Sequence, residues 1–149
     1  SKKRSGSKRQ PDPPTIFLDE CVDCASLANA LADAGVSVER HRDHFAPAAA
    51  DVEWLGPVSA NGWVILTKDA RQRRTPLEIA AIAEAGAREF VIRGAGLTGE
   101  EIAERVVANL KRISNVSRSQ PAPFIAHITK TGVRVVVRPR SLRKRAPEG

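Results

Sequence analysis

Residues 63–67 (WVILT) place apolar side chains at successive positions without polar alternation. A strand with one wetted face alternates, whereas an uninterrupted apolar run suits a parallel strand covered on both faces. Parallel neighbours require long crossovers, usually helices. This run therefore points to an α/β domain with a helical layer on each side of the sheet. The surrounding sequence supplies the pieces. Residues 15–19 (TIFLD) form a second short apolar, β-prone run, residues 36–41 alternate Val36 and Val38, and residues 89–92 (EFVI) give another strand. Between them, Leu27, Ala28 and Leu31 share a helical face closed by Gly35. Trp54, Leu55 and Val58 share another, opened near Asp51 and ended by Asn61-Gly62. Pro76 opens a third helix, with Leu77, Ile79, Ala80 and Ile82 expected to pack and Gly86 closing it. Thr98-Gly-Glu-Glu101 reads as a capping box before Ile102, Val106, Val107, Leu110 and Ile113. A polar, Pro-bearing stretch over 114–123 is expected as a connection. Residues 124–128 and 133–137 then flank Lys130-Thr-Gly132 as a hairpin. The expected architecture is a three-layer α/β/α sandwich with a mostly parallel sheet, plus a C-terminal β-hairpin.

Charge divides the chain further. Its net charge of +7 is unevenly spread: residues 1–14 carry +4, residues 134–149 carry +5, and residues 15–133 carry −2. Residues 1–14, basic and rich in Pro, are expected to be a disordered tail, residues 15–137 the folded domain, and residues 138–149 a second basic tail. Basic tails on a mildly acidic body commonly meet nucleic-acid phosphates, the plainer alternative being solubilising ends. No apolar run reaches the ~18–20 residues that span a bilayer, and the basic N-terminus lacks the apolar core of a secretory signal. A cytoplasmic protein with no membrane partner is the expectation. The chain has no Met and begins at the small residue Ser1, so removal of an initiator Met is expected.

Three acidic clusters fall at or just after expected carboxyl ends of strands. Asp19-Glu20 ends the first, Asp51 and Glu53 open the helix after the second, and Asp69 follows the third in Leu66-Thr67-Lys68-Asp69. Ligands of open α/β sheets bind outside these strand ends. If the sheet brings the first and third strands together, Asp19 and Asp69 converge. Crowded carboxylates repel and raise each other's pKa. A divalent ion removes that penalty, and hard oxygen donors suit Mg²⁺ or Mn²⁺. Such ions activate water and stabilise in-line attack on a phosphodiester. The chemistry needs no nucleophilic side chain, and the chain shows no Ser-His-Asp or Cys-His pair. The structural alternative is that these acids cap helix N-termini, Asp51 above all.

At these positions the chain resembles the PIN-like nucleases, a superfamily that includes VapC-type toxins and bacterial PIN-like domains related to the Mut7-C group. The resemblance is carried by Ile16-Phe-Leu-Asp-Glu20, Asp51-Val-Glu-Trp-Leu55 and Trp63-Val-Ile-Leu-Thr-Lys-Asp69, in the family's order and separation. It implies a Rossmann-like sandwich, a divalent ion and hydrolysis of RNA. By position, it makes Asp19, Asp51 and Asp69 the metal-binding, catalytic carboxylates. Many PIN nucleases place a further acid just after the third; here Ala70, Arg71, Gln72, Arg73 and Arg74 follow. Glu20, Glu53 and Glu78 are the candidates for that missing ligand. Lys68, Arg71 and Arg74 are candidates to hold substrate phosphates. Small bacterial members are often toxins held by a protein antitoxin. That partner and a second copy of the chain join RNA as candidate partners. A nucleic-acid-binding module that kept the fold without catalysis is the second reading.

Other constellations compete less well. Cys21-Val-Asp-Cys24 sits where a thioredoxin-like pair would, but the acids before it raise a thiol pKa rather than lower it. Cys21, Cys24, His41 and His44 form a conceivable zinc set with an HxxH spacing shorter than usual. A small buried Cys pair and surface His residues are expected instead. A receiver domain would need Asp69 as phosphoacceptor after a misplaced Thr-Lys pair. No GxxxxGK[ST] loop is present, and Arg93-Gly-Ala-Gly-Leu is too slight for a dinucleotide site.

Overall fold

The computed structural model describes residues 13–68 and 75–138, with the side chains of residues 51 and 52 outside the description. The chain runs β1 (Ile16–Leu18), a 3₁₀ turn (Glu20–Val22), α1 (Ala25–Asp33), β2 (Val38–Arg40), α2 (His41–His44), α3 (Asp51–Ala60), β3 (Val64–Lys68), α4 (Pro76–Ala85), β4 (Arg88–Ile92), α5 (Gly99–Ala108), α6 (Leu110–Ser119), β5 (Phe124–Thr129) and β6 (Gly132–Val137). The strands form one six-stranded sheet in the order β2-β1-β3-β4-β5-β6, parallel except for the last pair.

Period-2 alternation in β1 sorts the core into two halves. Ile16 and Leu18 face one side, where Leu27 and Leu31 of α1, Ile102 and Val106 of α5 and Ile113 of α6 pack on Leu66, Phe90, Phe124 and Ile128. Phe17 faces the other side, against Trp54, Leu55 and Val58 of α3 and Ile82 of α4, over Ile65, Val91 and Ile125. Burial on both faces explains why 64–67 reads as an unbroken apolar run. Fully burying each aliphatic or aromatic side chain contributes ~1.5–3 kcal/mol before the entropy cost of ordering the chain is counted.

Helix ends follow local chemistry. Thr75 and Thr98 each accept from the N–H three residues on, and Glu78 and Glu101 reach back to the cap amides. Gly86 ends α4 at φ 68°, a conformation that costs glycine little.

Five expectations change. Leu77 is not packed but 84% exposed, because the second helical residue projects away from the core stripe set by Ile79 and Ile82. The helix after Thr98 stops at Ala108, where Asn109 leaves helical geometry and its Nδ2 donates to the Arg105 and Thr129 carbonyls. The polar residues after Ile113 are not a connection but the rest of a second helix, α6, anchored by buried Ile113 and half-buried Val116. His41 is not on the surface: it is buried among Phe17, Phe45 and Trp54. The cysteines are free, and not buried: Cys21 is exposed and Cys24 half-buried.

Candidate functional site

The chain moves outward from β1 to β2, then returns across β1 and continues in the opposite direction through β3, β4 and β5. In a doubly wound sheet this reversal opens a crevice beyond the carboxyl ends of the two central strands. Here those strands are β1 and β3, with Leu18 opposite Leu66. Asp19, the residue after β1, sits at this reversal, its N–H donating to the Leu66 carbonyl at 3.1 Å.

Three groups converge on the Asp19 carboxylate. The Glu20 N–H donates to Oδ1 at 2.6 Å, and the Thr67 hydroxyl donates to Oδ2 at 2.6 Å. The Cys21 thiol lies 3.6 Å from Oδ2. The first bond makes Asp19 the N-cap of the 3₁₀ turn, so the capping alternative holds for one of its oxygens. The second crosses between strands and fixes the carboxylate's direction, which a cap does not require. Thr67 is buried with its only side-chain polar atom so employed.

Cys21 fastens the same corner. Its Sγ lies 3.3 Å from the Thr67 hydroxyl, 3.3 Å from the Lys68 carbonyl and 3.4 Å from the Lys68 N–H. Although Cys21 is exposed as a residue, its sulfur sits against Thr67 and the Lys68 backbone; that desolvation raises its pKa, the nearby Asp19 charge adds to it, and bonds from Thr67 and the Lys68 backbone oppose it without prevailing. The thiol is therefore held protonated, consistent with a structural rather than redox role. The sequence alone does not point to Thr67 or Cys21 in this role. Its only signal is a hydroxyl at the end of an apolar strand.

The other candidate acids are placed differently. Glu20 receives the Ala48 N–H on both oxygens, at 3.0 and 3.2 Å, and borders a cavity of about 320 Å³ lined also by Asp23, His41, Arg42, Phe45 and Pro47. Glu53 receives the Ala50 N–H at 2.9 Å, and Glu78 receives the Thr75 N–H at 2.8 Å, so both serve helix starts. Asp51 is the first residue of α3, with Ala50 rather than Asp51 as the cap; its side chain lies outside the described part. Asp69, Arg71 and Arg74 lie outside the described residues. Lys68 ends β3, half-buried, with Asp69 next in the chain.

Among the described residues no three His, Cys, Asp or Glu side chains come together to hold a metal. This disposes of the zinc set: His41 is enclosed by aromatics, and His44 Nε2 pairs with Glu39 at 2.7 Å. Of the three acids that the PIN-like resemblance makes metal ligands, Asp19 is the one whose side chain is described. The donor chemistry at Asp19 suits a hard divalent ion. A part-exposed carboxylate beside a hydroxyl oxygen stands at the sheet reversal, and no described basic side chain forms an ion pair with it.

The PIN-like domain family matches residues 14–94, a span that contains β1, the switch point and the chain through β4. "Putative ribonuclease VapC45" of Mycobacterium tuberculosis is 32% identical over 114 residues, covering 74% of this chain and 82% of that protein. This chain belongs to the PIN-like domain family, among the VapC-type proteins. No solved structure matches it. The PIN-like match begins just before β1 and ends just after β4, so α5, α6 and the β5–β6 hairpin lie beyond it.

Proposed function

We propose that this PIN-like protein is a divalent-metal-dependent endoribonuclease and the toxin of a toxin–antitoxin pair acting in the cytoplasm. The observation that carries the reading is the Asp19 carboxylate at the sheet's switch point, oriented by Thr67 across the β1–β3 boundary. The VapC45 resemblance supports the substrate class and the pairing. Asp19, Asp51 and Asp69 would hold Mg²⁺ or Mn²⁺, which supplies a low-pKa water and charge stabilisation for hydrolysis of the phosphodiester.

The chain's own residues do the rest. Thr67 and the Glu20 N–H fix both oxygens of Asp19, so no reorientation is needed when an ion arrives. Cys21 ties the Lys68 backbone to the same corner and thereby sets where the chain leaves β3 toward Asp69. Lys68, Arg71 and Arg74 follow on that segment and would pair with substrate phosphates. Glu20 and Glu53 are held at present by backbone amides of Ala48 and Ala50, and each keeps lone pairs that could face an ion.

A second reading, a nucleic-acid-binding module without catalysis, draws on the absence of an acid among residues 70–74. Single-turnover RNA cleavage separates the two. The nuclease should cut with Mg²⁺ or Mn²⁺, stop with EDTA, and resume when the ion is restored. Metal-independent RNA binding with no cleavage under any ion favours the module.

A further inference from the structure

The two edges of the sheet are finished differently. At one edge, β2 is three residues long and guarded by charge: Arg40 pairs with Asp23, and Glu39 pairs with His44. Short, charged edges resist further pairing. At the other edge, β6 is six residues long, carries Val133, Val135, Val136 and Val137, and pairs with no described strand on its outer side. Val136 is 37% exposed, and the other three are half-buried. Every second residue of such a strand turns its N–H and C=O outward.

The surroundings of that edge have one sign of charge. From Arg105 to Pro147 the chain contains no Asp or Glu and eleven Lys or Arg. Lys111, Arg112 and Arg118 lie on exposed positions of α6, Lys130 at the hairpin turn, and Arg134 and Arg138 on and just after β6. None of these six forms an ion pair among the described residues. α6 packs beside β6, with the Arg112 side chain close to Gly132.

We propose that the outer edge of β6 is a docking site for an extended, acidic segment of a partner protein, which adds to the sheet as a seventh strand. Open backbone groups provide the pairing, the valines provide an apolar strip for alternate side chains, and the basic surround selects acidic flanks. A second copy of this chain would set β6 and its basic neighbours against the same charges. The chain's own continuation, with Arg140, Arg143, Lys144 and Arg145, would do likewise. RNA matches the charge but makes no use of a strand edge or of valines. The proposal does not depend on the nuclease reading.

The probe is a fluorescein-labelled synthetic peptide alternating Val and Glu, compared with a peptide of equal composition whose alternation is scrambled. Binding is read by anisotropy, and its site by amide hydrogen exchange of the full chain. Preferential binding of the alternating peptide with new protection confined to β6 is expected, weakened roughly tenfold by Arg134→Glu with Arg138→Glu, since both are exposed charges beside the edge. Three results would overturn the proposal. One is equal binding of both peptides. Another is protection of the β6 outer amides before peptide is added. The third is β6 protection by an oligoribonucleotide but not by peptide, which would mark the surface as an RNA track. Wild-type RNA cleavage, measured in parallel, reports on the nuclease reading separately.

Discussion

Asp19 shows how the two oxygens of one carboxylate can take partners from distant parts of the chain. Its Oδ1 caps the 3₁₀ turn, while its Oδ2 takes the Thr67 hydroxyl, 48 positions away in the chain. The acid itself is legible in the sequence, because it ends an apolar strand and adjoins a second acid. Its orienting partner is not, because that bond exists only once β1 and β3 are neighbours. If the Thr67 hydroxyl directs the carboxylate, Thr67→Val should keep the buried shape and lose the donor. Cleavage or metal affinity should then fall about ten- to a hundredfold, the usual effect of removing a partner of a metal ligand. The thermal midpoint should move little. Cleavage at the wild-type rate with an unchanged metal titration would show that Asp19 needs no such support.

Elements are most legible where one physical signal dominates and least where two compete. β3, buried on both faces, and the helices opened by Thr75 and Thr98 carry strong local signals. The division between α5 and α6 is hidden, because Asn109 breaks the helix through its bond to the Thr129 carbonyl on β5, a partner that local sequence does not reveal. α6 reads as a polar connection because, beyond Ile113, Val116 is the one apolar residue that packs on the core. At the β2 edge, Asp23 joins three elements. Its carboxylate is 3% exposed and accepts from Arg40 Nε and from the Arg42 side chain and backbone. Burial pushes its pKa up, but the Arg40 bond, the Arg42 N–H and the two guanidinium charges outweigh that and lower it. A depressed folded pKa gives stability that is present above the ordinary carboxylate pKa and lost as pH falls through the lowered value. Asp23→Asn should therefore cost about 1.5–3 kcal/mol at neutral pH, the scale of hydrogen bonds to a charged group. That difference should shrink once wild-type Asp23 is itself protonated. Urea unfolding of both proteins at neutral and strongly acidic pH checks this; a gap that persists in acid would mean the loss is not electrostatic.

For the whole molecule, the alternation of strands and helices makes the three-layer sandwich readable, whereas the strand order is not. Only the structure places β1 beside β3, and that adjacency sets Asp19 next to the carboxyl end of β3. Charge is also organised at this scale, with a mildly acidic body between two basic ends. If those ends hold RNA, deleting 1–14 and 138–149 should weaken binding and flatten its salt dependence, by about 0.7 in log–log slope for each single-strand phosphate no longer neutralised. An unchanged slope would make them solubilising segments. The central proposal is that Asp19 and Asp69 share a catalytic divalent ion. The direct measurement is Mn²⁺-dependent RNA cleavage by the wild type, Asp19→Asn and Asp69→Asn, with folding confirmed by circular dichroism. The account expects both folded variants to lose cleavage across the Mn²⁺ titration, and metal-dependent cleavage that survives both substitutions would contradict it.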